Sequence, residues 1–408
     1  MAGKSSEQVK LTEADISGLK YFDQLAPLLK RLHMDGCDRD SAGNRKLHYD
    51  QYCMLLLLYL FNPVVTSLRG IQQASELKKV QKKLGCQRAA LGSLSEATAV
   101  FDPERLKEII AELGDQLKPL EQDKRLADIK QTITLVDGSL LSALPSMMEA
   151  SWRKANDCNA QVKWRLHTHF EILRGVPTRV DVTPNGGGEH DERAMLSRAM
   201  LSRVVEADRL YVADRGYAKF ALFNEIVNAK SGYVCRLRDN SVWTVKEQRY
   251  RNDHAALNEI ISDEVIEFSK GSNLNHPVRV ICIKVNPHTT RGKYRGGSSG
   301  VDCDGVLRIA TNLLDVPADV IGLIFSERWA IEIFFRFFKQ VLGCRHLISQ
   351  DQNGIEIQTY CAIIACMLIA LWTGRKPTLR TYEMICFYFT GLADEDELMA
   401  HVEKLKIQ

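Results

Sequence analysis

Apolar residues recur every three or four positions through the first third of the chain. That spacing predicts helices over 21–32, 48–60, 67–84 and 103–117. Pro103 suits a first helical turn, and Asp102 suits the cap before it. Near residue 130 the period shortens to two. Residues 131–138, 163–173, 178–183 and 209–214 read as strands, the first closing on an Asp137-Gly138 turn. A glycine run at 185–188 marks a loop, and helices fit 191–205 and 219–228. Strand patterns follow at 233–237, 242–245, 265–268, 278–285 and 306–311, with a basic Gly/Ser-rich loop at 291–300. Residues 325–340 read as one helix, helical spacing continues beyond it, and 398–408 is amphipathic.

The pattern defines an α+β multidomain chain. Residues 1–128 form a helical region, 129–232 and 316–350 two parts of a mixed core, 233–315 a β-rich insertion, and 351–408 a helical C-terminal region. A length of 408 residues allows two to four domains with cores of their own.

Composition changes this picture little. Hydrophobic residues make up 45% and charged residues 26%, ordinary globular values, and the formal net charge is +3. A DNA-binding surface must therefore come from local clusters, such as Arg45, Lys46 and His48, or the KKVQKK run at 78–83. A solvated helix face accounts for either run alone, while basic helices also suit a reader of DNA ends. The eleven cysteines include no C-x-x-C pair, which points to reduced thiols and a cytoplasmic setting. The apolar runs at 53–65 and 360–372 are short for a bilayer and read as core helices, and the first twenty residues lack an apolar signal core.

Chemistry concentrates in the greasy helix at 325–340. At about 100° per residue, Arg328, Glu332 and Lys339 fall within roughly 40° of one another, with Phe325 about 20° beyond. Charges on such a helix need partners. Two readings fit: a site for metal and phosphate, or an Arg328–Glu332 salt bridge one turn apart. Asp137 and Asp214 end predicted strands, where α/β sheets place ligands. Three converging carboxylates repel unless a cation neutralises them, and hard oxygen ligands select Mg²⁺ or Mn²⁺. Such a set can hold two ions about 4 Å apart for in-line displacement at phosphorus.

With these residues in place, the chain resembles the bacterial insertion-sequence transposases with a DDE triad, in the group carrying a Tyr-Arg-Glu-Lys signature (insertion sequence four family). The spacing is kept from Phe325 through Arg328 and Glu332 to Lys339, with Trp329 after the arginine. Asp137-Gly138 and the ADRGY run at 213–217 match the contexts of the first two acids, and the strand-rich stretch between Asp214 and Glu332 matches the group's insertion domain. One departure is Phe325 where the group has tyrosine; the ring is kept and the hydroxyl lost.

The resemblance implies an RNase H-like core and cut-and-paste transposition, with a hairpin on the excised end as one route. It implies that Asp137, Asp214 and Glu332 bind Mg²⁺ or Mn²⁺, two ions per site. Phe325, Arg328, Trp329 and Lys339 would contact DNA, Arg328 and Lys339 at phosphates and Trp329 by stacking on a base. It further implies double-stranded DNA partners (terminal inverted repeats and target), a homodimer in the DNA complex with the C-terminal helices as its candidate surface, and action at the bacterial nucleoid rather than at a membrane.

Other residues carry two readings each. Arg215 fits a contact to the scissile phosphate or a cap on the sheet. Arg291, Lys293 and Arg295 read as DNA contacts. His167 and His169 share a strand face, and hydrogen-bonded or surface histidines fit that spacing better than a metal pair. Asp191, after His190, reads as a helix cap. Asp181 and Asp208 are acids outside the triad, and Trp243 reads as core packing. Against transposition stand two rivals: a two-metal DNA nuclease of the same fold, and a catalytically inactive protein that binds DNA ends.

Overall fold

The structure is a computed structural model that describes residues 27–33, 45–142, 163–185, 205–249, 260–268, 273–285, 305–343, 347–349 and 351–407. Outside the described residues lie the 1–26 segment, the glycines at 186–188, His190, Asp191, most of the helix expected over 191–205, and the loop with Arg291, Lys293 and Arg295.

Helices α1 (Tyr49–Phe61), α2 (Leu68–Ser75), α3 (Lys78–Leu84), α4 (Leu91–Val100) and α5 (Glu104–Gln116) come first. Strands β1 (Thr132–Ser142), β2 (Lys163–Glu171), β3 (Val176–Asn185) and β4 (Arg209–Ala213) follow, then helix α6 (Phe220–Asn228) and strand β5 (Gly232–Arg236). Next are β6 (Trp243–Gln248), β7 (Ile260–Phe268), β8 (Val278–Lys284) and β9 (Val306–Thr311). The chain finishes with α7 (Ala318–Ser326), α8 (Trp329–Gly343), α9 (Gln352–Thr373), α10 (Leu379–Thr390) and α11 (Glu395–Ile407).

The chain divides into two compact units, one holding residues 1–118, 143–150 and 336–408, the other 119–142 and 151–335. In the helical unit, α9 is buried along nearly its whole length and packs against α1, α4 and α5. Its length and mean hydropathy of 1.8 are those of a membrane-crossing helix, so the apolar run at 360–372 belongs to a longer element than expected. That apolar window is 94% buried within the protein, as a central core helix requires. Thr98 donates to Asp351 at 3.2 Å, tying α4 to the start of α9. The helix expected over 67–84 is two, and α4 was not anticipated.

The second unit is built on one nine-stranded sheet in the order β3-β2-β1-β4-β5-β9-β8-β7-β6. β1, β4 and β5 are parallel neighbours, and the remaining pairs are antiparallel. The strands of the 233–315 segment thus extend the same sheet. Alternation of side chains along each strand gives the sheet two apolar faces. Tyr211, Ala213, Tyr233, Cys235, Val280 and Cys282 pack on one face with Phe223 and Ile226 of α6. α7 contacts β4, β5 and β7. A side chain at its Gly322 would meet Ile283, the neighbour of Cys282 on the opposite face, so α7 covers that second face.

A buried ion pair fixes the connection from β9 into α7. Arg279 donates through Nε and Nη2 to the two carboxylate oxygens of Asp263, both at 2.7 Å. Its Nη1 donates to the carbonyls of Leu313, Leu314 and Val316 at 3.1, 3.2 and 2.5 Å. Both side chains are under 10% exposed, at 4% and 9%. Removing one member of such a pair strands the other. Arg279→Ala should lower stability by about 3–5 kcal/mol, read as a shift in urea midpoint. Replacing Arg279 and Asp263 together by apolar residues should recover much of that loss.

Candidate active site

Strand register positions the first two acids. The parallel pairing of β1 with β4 ends at Val136 opposite Ala213, and that of β4 with β5 ends at Ala213 opposite Cys235. Val136, Ala213 and Cys235 all enter the apolar cluster beneath α6. The next residue of each chain therefore turns to the other face, the one α7 covers. Those residues are Asp137, Asp214 and Arg236. The turn expected at Asp137-Gly138 does not form. β1 runs on to Ser142 because β2 keeps pairing with it, with Asp137 opposite Thr168 and Gly138 opposite His167.

The helix expected over 325–340 is interrupted. α7 ends at Ser326 and α8 begins at Trp329. Between them the backbone tightens, the Arg328 amide bonding Phe325 O at 3.1 Å. Arg328 sits in this turn and reaches two acids with one atom. Its Nη1 is 2.7 Å from Glu332 Oε1 and 3.9 Å from Asp137 Oδ2. The intrahelical salt bridge of one sequence reading is therefore present, and the same guanidinium also faces a strand. The Phe325 ring lies 5.8 Å from the guanidinium carbon, within cation–π range.

Asp137 Oδ1 accepts from the Gly138 amide at 2.8 Å. Burial pushes the Asp137 carboxyl up from 3.8 to about 6; Asp214 and Glu332 push the same way, against the Gly138 amide and Arg328. Asp214 occupies the cap position of the 3-10 turn Arg215–Tyr217, yet its side chain makes no capping bond. Its Oδ1 is buried with no hydrogen-bond donor. Asp137 is thus within electrostatic reach of both Asp214 and Glu332. Among the described residues, no three acidic, histidine or cysteine side chains stand in position to hold an ion. The donor set nonetheless suits a hard divalent cation: it is all oxygen, it leaves a buried carboxylate oxygen without a donor, and a guanidinium lies between two of its members.

The remaining candidates are spread around this centre. Trp329 and Ile333 are exposed on α8, at 46% and 54%. Lys339 is exposed two turns beyond Glu332 on the same helix, in the part assigned to the helical unit. Arg215 opens the 3-10 turn directly after Asp214. His169 is buried, not on the surface, and packs edge-on to Tyr211; burial pushes its pKa down to about 3, so it is neutral. Asp181 pairs with Arg179 at 3.1 Å, and Asp208 takes a left-handed turn before β4. Trp243 packs edge-on against Phe268 at the rim of the apolar cluster. Sequence reasoning missed Arg236, which follows Cys235 in register with Asp214, is 7% exposed, and has Nη2 3.7 Å from Asp239. Aligning the ends of the two parallel strands, RLYVAD and GYVCR, would have found it.

The chain belongs to the family described as transposase DDE domain, whose model matches residues 128–368. It is 25% identical over 226 residues to y4zB of Sinorhizobium fredii, named as a transposase, covering 54% of this chain and 56% of that protein. It is 24% identical over 276 residues to a protein named as the transposase of insertion sequence element IS5377 from Geobacillus stearothermophilus, covering 66% of each. The chain thus spans about half to two thirds of the curated relatives' length. A shorter match, 34% over 71 residues, is to a protein named for insertion sequence element IS4SA in Synechocystis, covering 16% of this chain and 21% of that protein. Among solved structures, a piggyBac transposase synaptic complex with hairpin DNA aligns at a TM-score of 0.42 and 9% identity, over 97% of this chain and 87% of that one.

The raised Asp137 carboxyl makes a pH-dependent prediction. The native state holds this proton more tightly than the unfolded chain. Its stabilising contribution is complete below about pH 4 and lost as pH rises through about 6. In metal-free buffer, Asp137→Asn should therefore be more stable than the parent above pH 6, by about 1–3 kcal/mol. Urea titrations should show the gap closing below pH 4.

Proposed function

We propose that this protein is the transposase of an insertion sequence, cutting phosphodiester bonds at the element's ends and joining the freed 3′-ends to target DNA. What supports this reading is that Arg328 pairs with Glu332 and faces Asp137, whose carboxyl also feels Asp214, in a chain whose family is the transposase DDE domain. The strand order β3-β2-β1-β4-β5, with β2 antiparallel to its neighbours, supports an RNase H-like core. On that reading β6–β9 belong to an insertion between the second acid and the third. The Phe325, Arg328, Glu332, Lys339 spacing supports membership of the insertion sequence four group.

Asp137, Asp214 and Glu332 would hold Mg²⁺ or Mn²⁺. When bound, such ions activate a water or 3′-hydroxyl and stabilise the leaving oxygen. The chain's own side chains supply the rest. Arg328 presents a fork suited to phosphate oxygens, and Lys339 a point charge further along α8. Trp329, exposed beside Arg328, offers a face for an unstacked base. Phe325 packs against Arg328 and limits its rotation, a role that needs the ring and not a hydroxyl. Arg215, and Arg291, Lys293 and Arg295, would add phosphate contacts. Paired ends call for two copies of the chain, and the setting would be the bacterial nucleoid.

The test is cleavage of a labelled terminal repeat taken from DNA flanking the gene. With Mg²⁺ the parent protein should nick and then join ends on a product gel. Glu332→Ala and Asp214→Asn should each reduce cutting by roughly a thousandfold or more, in line with loss of a unit-acting catalytic group. Undiminished cutting by Glu332→Ala would overturn the assignment.

A further inference from the structure

We infer that Arg328 is a resident plug in the cation seat, which the metal must displace before it can enter. This deepens the proposed function and rests on its reading of Asp137, Asp214 and Glu332 as the metal-binding set. The Arg328 Nη1 atom stands between Glu332 and Asp137, at 2.7 and 3.9 Å, where the carboxylates' negative charge converges. The Arg328 side chain is only 16% exposed, so its end of the pair is largely shielded from competing water, while Glu332 is 32% exposed. The Arg328 Nε is buried with no acceptor, and so is Asp214 Oδ1 with no donor. Arg328 thus keeps one buried donor unsatisfied while it occupies the seat. That arrangement holds without a ligand and is poised to change.

A guanidinium and a divalent ion cannot share the same carboxylate oxygens. Closing the Arg328–Glu332 pair therefore weakens the protein's affinity for the ion. A phosphate that drew Arg328 away would strengthen it, and the ion would strengthen phosphate binding by the same factor, because coupling between two ligands is reciprocal. The free protein would bind metal poorly and keep its cutting site unarmed until DNA arrives.

The experiment is a titration of the full-length protein with Mn²⁺ alone, read by calorimetry and by water-proton relaxation, without DNA. Arg328→Ala and Arg328→Gln should bind Mn²⁺ roughly tenfold tighter or more, the size expected on releasing a charge-assisted hydrogen bond. Lys339→Ala removes a charge from the same helix without opening the seat, so its affinity should change far less. Equal tightening by Lys339→Ala would overturn the plug in favour of net charge. No tightening in either Arg328 variant, with Asp137→Asn still weakening Mn²⁺ binding, would overturn the plug and leave the metal site standing. Should Asp137→Asn leave Mn²⁺ affinity unchanged in the parent and in Arg328→Ala, plug and site reading would both fall. Circular dichroism of each variant checks the fold.

Discussion

The burial of the Asp137 carboxyl beside Arg328 is the constraint on which the proposed site depends. Asp137 rises to about 6, chiefly through burial and to a lesser degree through Asp214 and Glu332. A fold gains nothing in stability from such a cluster. It persists because the backbone around it is held by interactions that do not depend on it. Two parallel strand pairs place the aspartates, and an ion pair elsewhere holds the segment that delivers the glutamate.

That second support is Arg279. Its five hydrogen bonds join β8 to β7 and to the 313–316 segment, so a single buried guanidinium defines where the chain leaves the sheet and enters α7. From that point the path to Glu332 is short and mostly helical. Another polar network, Arg209 with Glu171, Glu206 and Thr134, ties the starts of β1 and β4 to the end of β2. One end of the parallel pair is thereby anchored by charge pairing, while at the other Asp214 Oδ1 is buried without a donor.

Much of this was legible in the sequence, for identifiable reasons. The strand at 306–311 matches β9 residue for residue, and β2, β4, β5 and β8 differ from expectation only at their ends, because short runs of Val, Ile and Tyr bounded by polar residues leave little choice. The three acids were proposed from local context: an Asp at each expected strand end and a Glu on a greasy helix. What could not be read were the features set by pairing. Asp137 was placed at a turn because Asp-Gly favours one, yet β2 holds that stretch extended for five residues more. The break at 327–328 leaves no signature in apolar spacing. Arg236 was invisible because its meaning comes from lying beside Asp214, a relation fixed by parallel register and not by nearness in sequence.

The break between α7 and α8 joins these threads. In an unbroken helix Arg328 would have only neighbours one turn away, and its pairing with Glu332 would be an ordinary surface bridge worth a few tenths of a kcal/mol. Placed in a tightened turn beside the sheet, the same side chain reaches a strand residue as well, and is screened from water while doing so. The identical two residues thus change from a helix-stabilising pair into part of a charged centre. Spacing on a helical wheel distinguishes neither case. The deciding fact is where the helix stops, at Ser326, with α7 packed on the sheet before it.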